Sequence, residues 1–175
     1  CEGSSPTISG CTISGNTGAN YGGGIICWDN SDLTIEDSVV TGNSAPNGGG
    51  IYRGSNCTVT ISGCTICGNA PSQISGGYND AGGNILFDRC PVTINVPSDY
   101  ATIQEAINAS SDNDTIQIAS GTYYEHSISL QGRAITLQGT LNEDGSWATV
   151  IDGQQTAHML KLESGETRSA VIKDL

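Results

Sequence analysis

Apolar residues in this chain alternate with Thr and Ser in short bursts such as Thr7-Ile8-Ser9 and Thr12-Ile13-Ser14. That is the two-residue period of a half-buried strand, not the 3.6-residue period of a helix. The bursts recur in blocks of about 26 residues, a length that signals stacked repeats. The block 6–16 returns at 33–43 and at 59–69, and Val92-Thr93-Ile94 reads as the start of a fourth copy. A glycine run follows each copy: Gly22-Gly23-Gly24, Gly48-Gly49-Gly50 and the looser Gly82-Gly83-Asn84. The third connecting loop, 70–81, reads as longer than the others.

A single coil of this kind cannot bury its Ile residues against itself. Coils must therefore stack and pair their backbones in parallel, about 4.8 Å apart, which predicts a parallel β-helix. Ile8, Ile35, Ile61 and Ile94 form one expected inward column, and Ile13, Val40 and Ile66 another. Asn16, Asn43 and Asn69 each follow a glycine at a corner, where Asn tolerates a left-handed backbone and passes hydrogen bonds from coil to coil. This predicts an asparagine ladder.

Past Val96-Pro97 the pattern changes. Thr102-Ile103-Gln104-Glu105 is a capping box, and Ile103, Ala106 and Ile107 make the apolar stripe of a short helix near 102–109. Strand-like segments then resume at 115–118, 127–130, 134–137, 149–151, 159–162 and 170–172, less regularly than before.

The stretch from Val96 through Thr102-Ile103-Gln104-Glu105-Ala106-Ile107, with Asp114-Thr115-Ile116, Gly121-Thr122-Tyr123 and Ile151-Asp152-Gly153, resembles the opening of right-handed β-helix proteins of the pectin-lyase-like superfamily. The first ninety residues resemble the later coils of large bacterial surface or secreted proteins with such helices. The resemblance implies an all-β fold, a right-handed parallel β-helix or β-solenoid with one capping helix. In that family the cap comes first and the glycine-rich coils last, so this chain carries the reverse order. The expected division is 1–96, late coils, and 97–175, the cap and early coils of a following module, a window across a tandem array. The opening Cys1-Glu2-Gly3 has neither the basic nor the apolar region of a secretory signal, and the natural start is expected elsewhere.

Composition narrows the partners. Six basic against 18 acidic residues, net −12, argue against nucleic acid, whose binding needs a basic footprint. No apolar run reaches membrane-spanning length. Seven cysteines in a small acidic chain favour an oxidising setting, extracellular or at the cell surface. Cys57 and Cys90 fall in one column a coil apart, as do Cys1 and Cys27 if one loop residue slips. Such spacing suits coil-to-coil disulfides, or else columns of reduced thiols. Cys11 and Cys64 read as small buried hydrophobes.

Candidate chemistry is sparse. Asp29, Asp32, Glu36 and Asp37 are calcium candidates, with a solvated acidic edge as the competing reading, and no other cofactor is expected. His126 and His158 lie far apart in sequence, and Arg53, Arg89, Arg133 and Arg168 fall in no recognisable catalytic motif. The family's enzymes act on acidic polysaccharides, but none of their functional residues carries over here. The function expected is an extracellular structural module, one repeat of a head-to-tail array or filament whose partners are copies of itself. The alternative is a polysaccharide-binding or polysaccharide-degrading domain. A third reading, an ice-binding face, rests on the outward columns Thr7, Thr34, Thr60, Thr93 and Thr12, Val39, Thr65.

Overall fold

Alternating Thr and Ile can bury one edge of each strand only if the next coil lies on top of it, and the chain does this in two units. The computed structural model describes residues 3–162, 165 and 169–175. Residues 1–90 and 91–175 form separate units, each with its own hydrophobic core.

The first unit winds three short strands per coil. β1 (Thr7–Ser9), β2 (Thr12–Ser14) and β3 (Ile25–Cys27) make the first coil, and β4 (Asp32–Glu36), β5 (Val39–Thr41) and β6 (Ile51–Arg53) the second. β7 (Thr58–Ser62), β8 (Thr65–Cys67) and β9 (Ile74–Ser75) follow, then β10 (Asn79–Asp80) and β11 (Ile85–Phe87). Like strands pair in parallel, giving sheets ordered β1-β4-β7-β10, β2-β5-β8-β11 and β3-β6-β9. The inward residues stack in register as Ile8–Ile35–Ile61, Ile13–Val40–Ile66 and Ile25–Ile51–Ile74.

The fourth layer corrects the repeat alignment. Asp80 stands opposite Ile61 and Leu86 opposite Ile66, whereas Ile94 pairs with Ile116 in the second unit. Gly82-Gly83-Asn84 repeats the Gly63 corner and not the glycine run. The Gly63 N–H donates to the Gly82 carbonyl at 2.9 Å and the Cys64 N–H to Asn84 Oδ1 at 2.9 Å. The coil through 70–81 is thus shorter than its predecessors, not longer. The Ile column ends at a carboxylate, which accepts from the Gly82 N–H at 2.8 Å and from Asn84 Nδ2 at 2.6 Å.

The glycine runs answer a packing demand. Gly23 and Gly49 are buried where successive coils approach most closely. A Cβ on Gly49 would collide with the Ala70 carbonyl, and one on Gly23 with the Gly49 and Ser44 carbonyls. No side chain fits there.

The second unit starts at β12 (Thr93–Val96), so the division falls after Cys90 and not after Val96. Next come α1 (Ile103–Ala109), β13 (Thr115–Ile118), β14 (Gly121–Tyr123), β15 (Ile128–Ser129), β16 (Thr136–Gln138), β17 (Thr149–Ile151), β18 (Leu160–Lys161) and β19 (Val171–Lys173). All pair in parallel, as β12-β13-β16-β19, β14-β17 and β15-β18, with Ile94, Ile116, Leu137 and Ile172 in one column.

The capping box starts α1 as its residues predict. Thr102 Oγ1 accepts from the Glu105 N–H at 3.1 Å, and Glu105 accepts from the Thr102 N–H at 3.1 Å. Two further orphan amides, those of Ile103 and Gln104, donate to the Glu125 carboxylate at 2.8 and 3.2 Å. Ile103, Ala106 and Ile107 are buried in the second core.

Candidate functional site

The asparagine ladder forms in register. Asn43 Oδ1 accepts from the backbone and side-chain amides of Asn16, both at 2.9 Å, and Asn69 Oδ1 accepts from those of Asn43 at 2.9 and 3.0 Å. Each Nδ2 also donates back to the preceding coil, Asn43 to the Ile13 carbonyl and Asn69 to the Val40 carbonyl, at 2.9 Å. The fourth rung is Gln73, whose Oε1 accepts from both amides of Asn69. Among the described residues no buried side-chain nitrogen or oxygen lacks a partner.

The cysteine pairing differs from the expectation. Cys90 is bonded to Cys67, with a Cα–Cα distance of 4.9 Å, and not to Cys57. The shortened coil places Phe87 opposite Cys67, so the chain arriving at Cys90 meets Cys67 first. Cys1 lies outside the described residues, and Cys27, its expected partner, is a buried thiol. Cys64 is buried, its Sγ donating to the Ile35 and Ser62 carbonyls, whereas Cys11 in the first coil is exposed.

The acidic candidates do not gather. Asp32 and Glu36 stand at opposite ends of β4, about 13 Å apart at strand rise. Asp29 and Asp37 occupy separate corners with φ of 49° and 45°. Among the described residues no group of three or more His, Cys, Asp or Glu is placed to hold a metal ion. That arrangement removes the calcium candidates.

Stacking does bring the two histidines into neighbouring coils. The Ser127 N–H donates to the His158 carbonyl at 2.6 Å, and Ile128 faces Leu160, so His126 stands opposite His158 in the backbone register. Both are exposed. Arg53 is committed to the Cys57 and Gly76 carbonyls, and Arg133 to Gln131 and the Asn108 carbonyl. Arg168 lies outside the described residues. The column Thr7–Thr34–Thr60 is in register but continues as Asn79, while Thr93 faces Thr115 in the second unit.

One surface feature escaped the sequence reading. Tyr21, Trp28 and Tyr52 form a contiguous aromatic patch on the first unit, with ring centroids 5.5 Å apart for Tyr21–Trp28, 4.5 Å for Tyr21–Tyr52 and 5.7 Å for Trp28–Tyr52. Tyr52 points outward because it alternates with inward Ile51, and it faces the exposed Ile26 one coil away. Gly54 leaves room for the indole, since a Cβ there would stand 3.2 Å from Trp28 Cε3. The signal was present in the repeat alignment, which sets Tyr52 beside Ile26. The other two rings come from loops with no period of their own. Rings in mutual contact leave no gap for a caged cation; with Tyr21 tilted by 53° and 47° against Trp28 and Tyr52, they offer an uneven amphipathic surface.

In the second unit an open apolar cleft of about 310 Å³ is lined by Trp147, Val150, Ile151, Met159 and Leu175. No helix among the described residues is long and apolar enough to cross a membrane.

Residues 1–122 match the protein-family model described as a right handed beta helix region. No curated protein and no solved structure matches the chain.

Proposed function

Since this chain belongs to the right-handed β-helix family, we propose that it serves as an extracellular structural module, one segment of a head-to-tail series of β-solenoids on a cell surface or in a matrix. One observation carries the reading: two separately cored solenoid units follow each other in the chain, and the second has its own helix packed on its own core through Ile103, Ala106 and Ile107. The Ile column of the first unit stops at Asp80, inside the chain, before the second unit begins. A succession of separately cored units is what a tandem array presents. The disulfide and the acidic surface suit an oxidising exterior. The intact mass of the native polypeptide tests this reading. A mass many times 18.0 kDa, with peptides of this region in several related copies, supports it, and a native chain of about this size argues against it.

A second reading, polysaccharide binding, is favoured by the Tyr21–Trp28–Tyr52 patch, which suits the apolar face of a neutral sugar ring. Quenching or shift of Trp28 fluorescence by neutral oligosaccharides, lost in Tyr52→Ala, would support it. An unchanged spectrum at millimolar sugar would exclude it.

A further inference from the structure

We propose that Cys27 and Cys57 form a second disulfide, a staple between the first and second coils of the first unit. The corner between β3 and β4 sits beneath the corner between β6 and β7. Cys27 faces Arg53 in register, and Arg53 Nε donates to the Cys57 carbonyl at 2.5 Å, so one side chain spans the corner between them. The Thr58 N–H donates to the Ser31 carbonyl at 3.0 Å, which seats the end of the upper corner on the end of the lower one. Cys27 Sγ reaches the Ser31 carbonyl at 3.5 Å on its own corner and the carbonyl of Thr58, the residue after Cys57, at 3.8 Å on the next.

Both side chains belong to the same core cluster, 0% and 2% exposed. Burial first, then the neighbouring Cys57 thiol, pushes the Cys27 thiol above its ordinary pKa. A protonated, buried thiol reacts slowly, so the bond forms before the coils close and not on the finished fold.

The oxidant is a small-molecule disulfide. One cysteine thiolate attacks it, forming a mixed disulfide and expelling one thiol. The second thiolate then attacks the protein sulfur, closing Cys27–Cys57 and expelling the other thiol. Two electrons pass to the oxidant's S–S bond, and the two cysteine protons end on the two released thiols. The chemistry that makes Cys67–Cys90 supplies the same oxidant. Together the two bridges join the first coil to the second and β8 to the segment after β11.

The experiment refolds the full chain in a reduced/oxidised glutathione buffer, quenches in acid, alkylates free thiols and maps linked peptides by tandem mass spectrometry. Two bridges with alkylation confined to Cys1, Cys11 and Cys64 are expected. Alkylated Cys27 and Cys57 beside an intact Cys67–Cys90, or Cys27 joined to Cys1, overturns the proposal. In a second measurement Cys57→Ser should lower the urea midpoint under oxidising conditions and far less after reduction in both proteins. An equal shift in the two states contradicts the staple.

Discussion

Gln73 Oε1 accepts the backbone N–H of Asn69 at 3.0 Å and its side-chain N–H at 2.8 Å, so a glutamine completes a ladder built from asparagines. The longer side chain reaches from another point of the loop to the place where the next Asn would stand. Four amide side chains, exposed at Asn16, buried at Asn43 and Asn69 and half-buried at Gln73, thus form one continuous chain of hydrogen bonds along the stack.

Asn43 sits at the centre of that chain and is 1% exposed. Asn43→Ala strips partners from the amides of Asn16 and from Asn69 Oδ1, and should lower stability by about 3 kcal/mol. Gln73→Ala, at the half-buried end, should cost about 1 kcal/mol. Urea denaturation of the two variants checks the order.

Reduction of Cys67–Cys90 releases a loop with a sequence separation of 23. A loss of about 3 kcal/mol is expected from the entropy returned to the unfolded chain. Hydrogen exchange should quicken first in β8 and β11, and Cys90→Ser should reproduce the effect without reductant.

Thr102 and Glu125 together satisfy the opening amides of α1. Thr102→Ala should cost about 1 kcal/mol. Because the second unit has a core of its own, hydrogen exchange should rise in 91–175 and stay unchanged in 1–90.

Burial, and next the charge of Glu125, hold the Tyr123 phenol above its usual pKa. Its hydroxyl donates to the Ala119 carbonyl at 3.1 Å. A group raised in the folded state keeps its proton where the unfolded chain has lost it. Its stabilisation is therefore complete below about pH 10, the unfolded value, and is lost as pH rises through the folded value. Tyr123→Phe should flatten the stability profile in that alkaline window, as followed by thermal melts at successive pH values.

Much of this architecture could be read from residue order, because strands and ladders follow local patterns. Ile8, Ile35 and Ile61 alternate with Thr, Ser or Glu, and Thr102-Glu105 is a capping box in any context. Two departures, at Ile94 and at Cys90, share one origin. Gly82-Gly83 reads as another glycine run, and that shift of register misplaces Ile94 and gives Cys90 the wrong partner. The aromatic patch was hidden for a different reason. Tyr21 and Trp28 come from loops whose course is set by the stack and not by their own sequence, so their meeting with Tyr52 has no periodic trace.

We propose that this chain is one stretch of an extended series of β-solenoid modules. Negative-stain electron microscopy of the native, full-length polypeptide tests it most directly. Particles much longer than they are wide, lengthening with the number of modules per chain, are expected. Compact, isometric particles from a long native chain would contradict it.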